Sequence, residues 1–128
     1  MNGLREEERT IMDLEKIRGY CLKKKGVNET LPFNEDTPVY KVMGKMFLLS
    51  NLTPPVSINI KCDPELAVEL REKYEAVSPG FHMNKLHWNT VLLDGSIPDK
   101  YIYEWIDLSY NLIVEGLPKK EKEILFKL

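Results

Sequence analysis

The chain has 128 residues, of which 43% are hydrophobic and 30% are charged, and its formal net charge of −2 excludes the strongly basic class of nucleic-acid-binding proteins. No apolar run approaches the roughly 20 residues that cross a membrane, and the acidic start of the chain, Glu6 to Glu8, is unlike a signal peptide. The two cysteines form neither a CxxC nor a zinc-binding pattern, so we expect reduced thiols and no metal or other cofactor. We also expect a cytoplasmic monomer without a membrane partner.

The first half of the chain predicts one helix and three strands. Apolar residues at three- and four-residue steps predict a helix over residues 8–24, whose last turn carries lysines. After a proline-containing loop, residues 39–43 and 46–50 are predicted strands, joined by a two-residue turn at Gly44 and Lys45. Connections this short predict antiparallel pairing.

The third strand, predicted over residues 56–62, alternates between apolar and polar side chains. Its apolar residues, which would face the core, are Ile58, Ile60 and Cys62. Its polar residues, which we expect to face solvent on the side of the sheet away from the helices, are Ser57, Asn59 and Lys61. This strand therefore predicts a sheet with one covered face and one wet face.

Two further helices and one further strand follow. Asp63 and Pro64 are typical of a helix N-terminus, and a last helix follows Asp99. Between the two helices, after a linker, residues 81–84 are predicted as a short strand or a turn, and residues 87–93 as a strand.

The order of these elements predicts the fold class. This order favours an α+β two-layer sandwich, with an antiparallel sheet and the helices packed on one face. It consists of a helix, three strands, a helix, one or two strands and a last helix. We expect a single domain over residues 1–128, with a core of about residues 10–118. Residues 119–128 are a basic and apolar tail, for which a short amphipathic helix and a frayed end are both open.

The stretch from Pro79 to Gly95 concentrates hydrogen-bonding side chains in and beside a predicted strand. It contains both histidines, one of the two tryptophans, two asparagines and a lysine, with no acidic residue between Gly80 and Leu93. The predicted strands are basic and the predicted helices acidic, so the uncovered sheet face would attract an anion. The high propensity of Glu for helices explains at least part of this segregation.

Five ordered segments resemble the MmcQ/YjbR family over roughly residues 10–120. They are INIKCDP at residues 58–64, PGFHMNK at 79–85, HWNTV at 87–91, DG at 94–95 and GLPKK at 116–120. The resemblance implies a CyaY-like (frataxin-like) fold, in which a curved antiparallel sheet lies behind two long terminal helices. It also implies DNA binding, a label that rests on the similarity of this fold to the double-wing domain of the phage transcription factor MotA. Such a fold analogy does not fix function.

The uncovered sheet face is the predicted binding surface of a non-enzymatic module. Its candidate residues are Asn59, Lys61, His82, Asn84, Lys85, His87, Trp88 and Asn89, with Lys41 and Lys45 on the hairpin. In a complex with double-stranded DNA, the lysines and histidines would contact phosphate, while Trp88 and the asparagines would contact sugar or base. The alternative is a small anionic metabolite or the acidic segment of a protein partner on the same face.

Each of these residues also has a structural interpretation that the sequence leaves open. Trp88 can pack at the sheet edge, the asparagines can satisfy loop backbone groups, and the lysines can protect edge strands from aggregation. His82 and His87 would face opposite sides of one strand, so no metal site is predicted. No Ser-His-Asp or Cys-His spacing occurs, and an enzyme is a third interpretation, which would require His82 or His87 to lie beside a carboxylate such as Asp36 or Asp94.

Overall fold

The structure, a computed structural model, describes residues 6–81 and 83–128, with side chains from residue 14 onward. The described part of the chain forms four helices and six strands. In chain order they are α1 (Glu6–Leu22), β1 (Val27–Thr30), β2 (Val39–Val42), β3 (Lys45–Asn51), β4 (Ser57–Lys61), α2 (Pro64–Lys73), β5 (Val77–Pro79), β6 (Trp88–Leu92), α3 (Asp99–Glu115) and α4 (Lys119–Phe126). In that part of the chain, no helix combines the length and apolar character that a bilayer crossing requires.

The six strands form one antiparallel sheet in the order β1-β2-β3-β4-β6-β5. The helices pack on one face of this sheet, where their buried apolar side chains and those of the strands form one core. Ile58 and Ile60 of β4 lie in this core, as their alternation predicts. The tail also joins it, since Leu125 of α4 is only 2% exposed. The predicted α+β two-layer sandwich is therefore confirmed.

A β-bulge in β3 strengthens the contact between the sheet and α3. Tyr40 pairs with Leu48, and the next pair is Lys41 with Met46, so Phe47 is the extra residue. Phe47 and Leu48 are consecutive, yet both are completely buried. The Phe47 ring packs edge-on against a tyrosine ring of α3, with 5.4 Å between the ring centroids.

Hydrogen bonds join α3 both to the sheet and to α1. The Ser109 hydroxyl donates to the carbonyl oxygen of Phe47 at 2.5 Å and accepts from the backbone N–H of Lys61 at 2.9 Å. The Asp107 carboxylate accepts from the Tyr20 hydroxyl at 2.7 Å. Burial, followed by this hydrogen bond, raises the pKa of Tyr20 to about 12. These contacts fix the helix layer on one face of the sheet.

The two cysteines are free thiols in the core, Cys21 on α1 and Cys62 just after β4. Burial raises the pKa of Cys21 to about 12 and that of Cys62 to about 11. Because the thiolate is the nucleophilic form of cysteine, the fold holds both side chains in an unreactive state.

Two strands and one turn differ from the sequence prediction. β1 occupies residues for which the sequence predicts a loop. Its sequence, VNET, contains a single apolar residue and shows no alternation, so it does not predict a strand. β5 spans only three residues inside the expected linker, and the segment after it turns rather than extends. The β2–β3 turn lies at Met43 and Gly44, one residue earlier than predicted, and both residues have positive φ, 50° and 81°.

Candidate binding groove

The sheet face away from the helices holds a groove with a volume of about 680 Å³. Its floor crosses β3, β4 and β6, where Leu49 pairs with Asn59 and Asn59 pairs with Thr90. The lining mixes apolar and polar side chains, and none of the 12 described residues that line it carries a formal charge. The described part of the lining is therefore polar in places but carries no formal charge.

Two loops form the opposite walls of the groove. The loop between β1 and β2 contributes Phe33, and its end is tied to β3 by a 2.9 Å hydrogen bond from the Ser50 N–H to the Pro38 carbonyl oxygen. The turn after β5 contributes Phe81 and Met83. Phe33 and Phe81 are 69% and 67% exposed, so an aromatic ring stands at the mouth on each side.

The floor of the groove is polar and buried. Ser57, Asn59 and Thr90 are 7%, 6% and 8% exposed, respectively. The expectation that Ser57 and Asn59 face open solvent was therefore wrong. Both lie on the face away from the helices, but the two loops enclose them. Lys61, the third polar residue of β4, is half-buried.

Thr90 connects the floor to one wall. Its Oγ1 accepts a 2.9 Å hydrogen bond from the backbone N–H of Phe81 and donates a hydrogen bond to Oδ1 of Asn59, its cross-strand partner. The amide nitrogen of Asn59 donates to none of the described residues. The floor thus presents an available amide N–H donor beside the Oδ1 atom that the Thr90 hydroxyl bonds.

Arg71 of α2 holds the turn that leads into β6. Its Nε donates to Oδ1 of Asn89 at 2.7 Å, and its Nη2 donates to the carbonyl oxygens of Trp88, at 3.3 Å, and of Lys85. Sequence reasoning did not single out Arg71. The available signal was its position four residues after Ala67, on the buried stripe of α2.

Two of the sequence-predicted residues, Asn84 and Lys85, bond within the same turn. Oδ1 of Asn84 accepts from the backbone N–H of Leu86 at 2.9 Å, and Nζ of Lys85 donates to the carbonyl oxygen of Gly80 at 3.2 Å. Both residues are exposed. Their described contacts shape the wall of the groove, and a direct role in binding stays a prediction.

The remaining strand residues divide between the two faces of the sheet. Asn89 is fully buried on the helix side, where its amide nitrogen donates to a carbonyl oxygen of α2 at 3.2 Å. Lys61 pairs with Trp88, and Lys41 pairs with Met46. The side chains of these two pairs lie on the same face of the sheet as the groove, but they are not among the residues that line it. Asn89 is thus separated from the other candidates.

The last candidates lie at the edges of the site. Lys45 is exposed at the start of β3, and His87 is half-buried just before β6, where its carbonyl oxygen accepts from the Cys62 N–H at 2.6 Å. His82 lies outside the described residues. Within those residues, no group of three metal-ligating side chains occurs.

Comparisons of sequence connect the chain to one group of bacterial proteins. The family model YjbR matches residues 22–112. The protein called Uncharacterized protein YjbR of Escherichia coli K12 is 34% identical over 118 residues, which cover 91% of this chain and 100% of that protein. Uncharacterized protein YbdF of Escherichia coli O157:H7 is 37% identical over 93 residues, which cover 72% of this chain and 76% of that protein.

Comparisons of structure agree with those of sequence. The crystal structure of Deinococcus radiodurans protein DR2400, with the domain DUF419, has a TM-score of 0.81 at 36% identity, covering 88% of this chain and 86% of that one. A crystal structure of a Pseudomonas syringae protein has a TM-score of 0.68 at 29% identity, covering 77% of this chain and 96% of that one.

Proposed function

The chain belongs to the YjbR family, and we propose that it is a non-enzymatic, cytosolic binding module whose ligand lies in the groove. The contrast between the floor and the mouth carries this proposal. The polar side chains of Asn59 and Thr90 are less than a tenth exposed, whereas the rings of Phe33 and Phe81 are about two thirds exposed. Buried polar groups below an apolar mouth are typical of a small-molecule site, and such sites enclose roughly 300–1,000 Å³.

The neutral lining defines which part of a ligand can enter. A charged group in the groove would lose its water and gain no ion partner among the described lining residues, which is costly. An anionic ligand would therefore keep its charge outside the groove, on the side of Lys61. The buried part of the ligand is neutral.

Filling the groove tests this proposal. Leu49→Trp places a larger ring on the floor, and we expect it to weaken binding of small neutral ring compounds at least tenfold because the space is lost. The matched control is Leu108→Trp, since Leu108 is an exposed leucine of α3 on the opposite layer. Saturation-transfer NMR with indole, quinoline and 2-quinolone measures binding. Equal binding by both variants and the wild type would place the ligand elsewhere and contradict the proposal.

Double-stranded DNA is a second candidate ligand, favoured by one observation. Lys41 and Lys61 lie on the groove side of the sheet, and Lys61 is paired with Trp88. Lysines at this position would contact phosphates while the tryptophan contacts sugar or base. Because only a few lysine side chains would contact the phosphates, the affinity for DNA would be weak, with a Kd on the order of 10⁻⁴ to 10⁻⁶ M at physiological salt.

The salt dependence of binding tests the DNA candidate. A fluorescent duplex of about 25 base pairs is titrated at low and near-physiological salt, and anisotropy is measured. The Lys41→Ala/Lys61→Ala variant should bind more weakly and with a shallower salt dependence than the wild type. Lys119→Ala/Lys120→Ala, which removes two exposed lysines of α4, is the matched control. Binding that is indifferent to salt, or equally weakened in both variants, would exclude this mode of DNA binding.

A further inference from the structure

We propose that the groove is specific for a neutral, planar heterocycle that carries a carbonyl oxygen on its ring. This inference rests on the proposed function, because it names the chemistry of the ligand for the same groove. Three features of the site carry it, namely an available amide donor on the floor, a lining whose described residues carry no formal charge and an aromatic ring on each wall.

The donor is the amide nitrogen of Asn59. The Thr90 hydroxyl accepts from the Phe81 N–H and donates its one proton to Oδ1 of Asn59. In this arrangement Oδ1 of Asn59 is bound to Thr90, and the amide nitrogen stays available. A ligand that reaches the floor must therefore accept a hydrogen bond.

The burial of Asn59 makes this requirement selective. The residue is only 6% exposed, but its amide nitrogen is not completely shielded from solvent, so a ligand on the floor would displace the water that reaches this nitrogen. A ligand that covers the floor without offering an acceptor leaves this donor buried and unpaired, which is unfavourable. A carboxylate would be an acceptor too, but it would bring a full charge into a groove whose described lining is neutral. A carbonyl oxygen supplies the acceptor without the charge.

The mouth of the groove selects for shape. Phe33 and Phe81 stand on opposite walls, one beside β3 and the other beside β6. A flat ring that enters between these walls can contact aromatic side chains in stacked or edge-on arrangements, which a saturated ring cannot do. The volume of about 680 Å³ accommodates a ring system together with its substituents.

Three matched probes test this inference on the full chain. 2-Quinolone carries the ring carbonyl, indole is a planar fused bicycle of similar size that has no hydrogen-bond acceptor, and N-methyl-2-quinolone keeps the carbonyl but lacks the ring N–H. We expect the two quinolones to bind with Kd values on the order of 10⁻³ M, because small ligands gain little per atom. Indole should bind about tenfold more weakly, since it leaves the Asn59 donor unpaired.

The Asn59→Leu variant should remove this preference. It keeps the approximate volume of the side chain and deletes the donor, so both quinolones should lose about tenfold in affinity while indole changes little. Asn111→Leu, the same substitution at an exposed position of α3, is the control and should leave all three affinities unchanged. The side-chain amide resonance of Asn59 in the wild type gives an independent readout, and only the quinolones should shift it downfield.

The outcomes separate this inference from the proposed function. If all three probes shift groove resonances with equal affinity, and Asn59→Leu alters none of them, the requirement for a carbonyl is overturned while the groove stands as the binding site. If no probe shifts groove resonances even at millimolar concentration, the carbonyl requirement and the proposed function both fail.

Discussion

The Arg71→Met variant is expected to lose about 2–3 kcal/mol of unfolding free energy and to loosen the turn before β6. The guanidinium bonds Oδ1 of Asn89 and the carbonyl oxygens of Trp88 and Lys85. Asn89 is completely buried, so methionine would leave its oxygen without a partner, and such a buried acceptor costs about 1–3 kcal/mol. Urea unfolding measures the loss of stability, and amide hydrogen exchange over residues 83–88 measures the loosening.

The matched control for this prediction is Arg18→Met. Arg18 is an exposed arginine of α1 that pairs with Glu29 at 3.0 Å. Exposed ion pairs contribute about 1 kcal/mol or less, so this variant should remain close to the wild type. If the two variants were equally stable, or if exchange in the turn did not change in Arg71→Met, Arg71 would not be the clamp that the contacts indicate.

The Gly80→Ala variant is expected to displace the wall of the groove. A Cβ atom at this position would lie 2.8 Å from the Cβ of Trp88 and 3.0 Å from both the Cβ of Met83 and the carbonyl oxygen of Trp88. These atoms are backbone or next to it, so the turn itself must move, and overpacking of this kind costs about 1–3 kcal/mol. Since Phe81 is the next residue, its hydrogen bond to Thr90 should break, and 2-quinolone should bind about tenfold more weakly.

Gly19→Ala is the control for this substitution and should change stability in the opposite direction. Gly19 lies within α1, and a Cβ added there meets nothing within 4 Å. Alanine is favoured over glycine inside a helix by about 0.5–1 kcal/mol, so the midpoint of urea unfolding should rise. A Gly80→Ala variant with wild-type stability and wild-type affinity for 2-quinolone would contradict the close approach seen at Gly80.

The elements that the sequence predicts well are those whose own pattern decides their structure. The alternation in β4 and the apolar stripe of α3 are long enough to define a buried face without knowledge of the partner. β1 and β5 carry no such pattern, because they are four and three residues long and are held by pairing with β2 and β6. The conformation of each therefore depends on its partner strand, which lies beyond a loop for β1 and beyond a turn for β5.

The composition of the groove floor depends on a register that the sequence does not encode locally. Asn59 pairs with Thr90, but β4 and β6 are separated by α2 and β5, so no tight turn fixes their alignment. A shift by one residue would exchange the faces of β6 and bring Asn89 onto the floor in place of Thr90. The sequence therefore predicts polar residues in both strands and a binding face, but it does not identify Thr90 as the partner of Asn59.

The enclosure of the floor follows from loops rather than strands. Phe33 and Phe81 occur in segments without periodicity, and only the folded chain places them above the two sides of the sheet. Sequence reasoning concentrated on the cationic and histidine side chains of this face. The two phenylalanines and Thr90 were missed, although Thr90 lies two residues after Trp88 and so shares its face.

A ¹H–¹⁵N shift titration of the uniformly labelled full chain with 2-quinolone locates the binding site residue by residue. It tests directly the proposal that ligands enter the groove on the sheet face away from the helices. We expect saturable shift changes that are largest at Ser57, Asn59, Phe81 and Thr90. Changes that are largest on α1 or α3, or the lack of any saturable change, would contradict it.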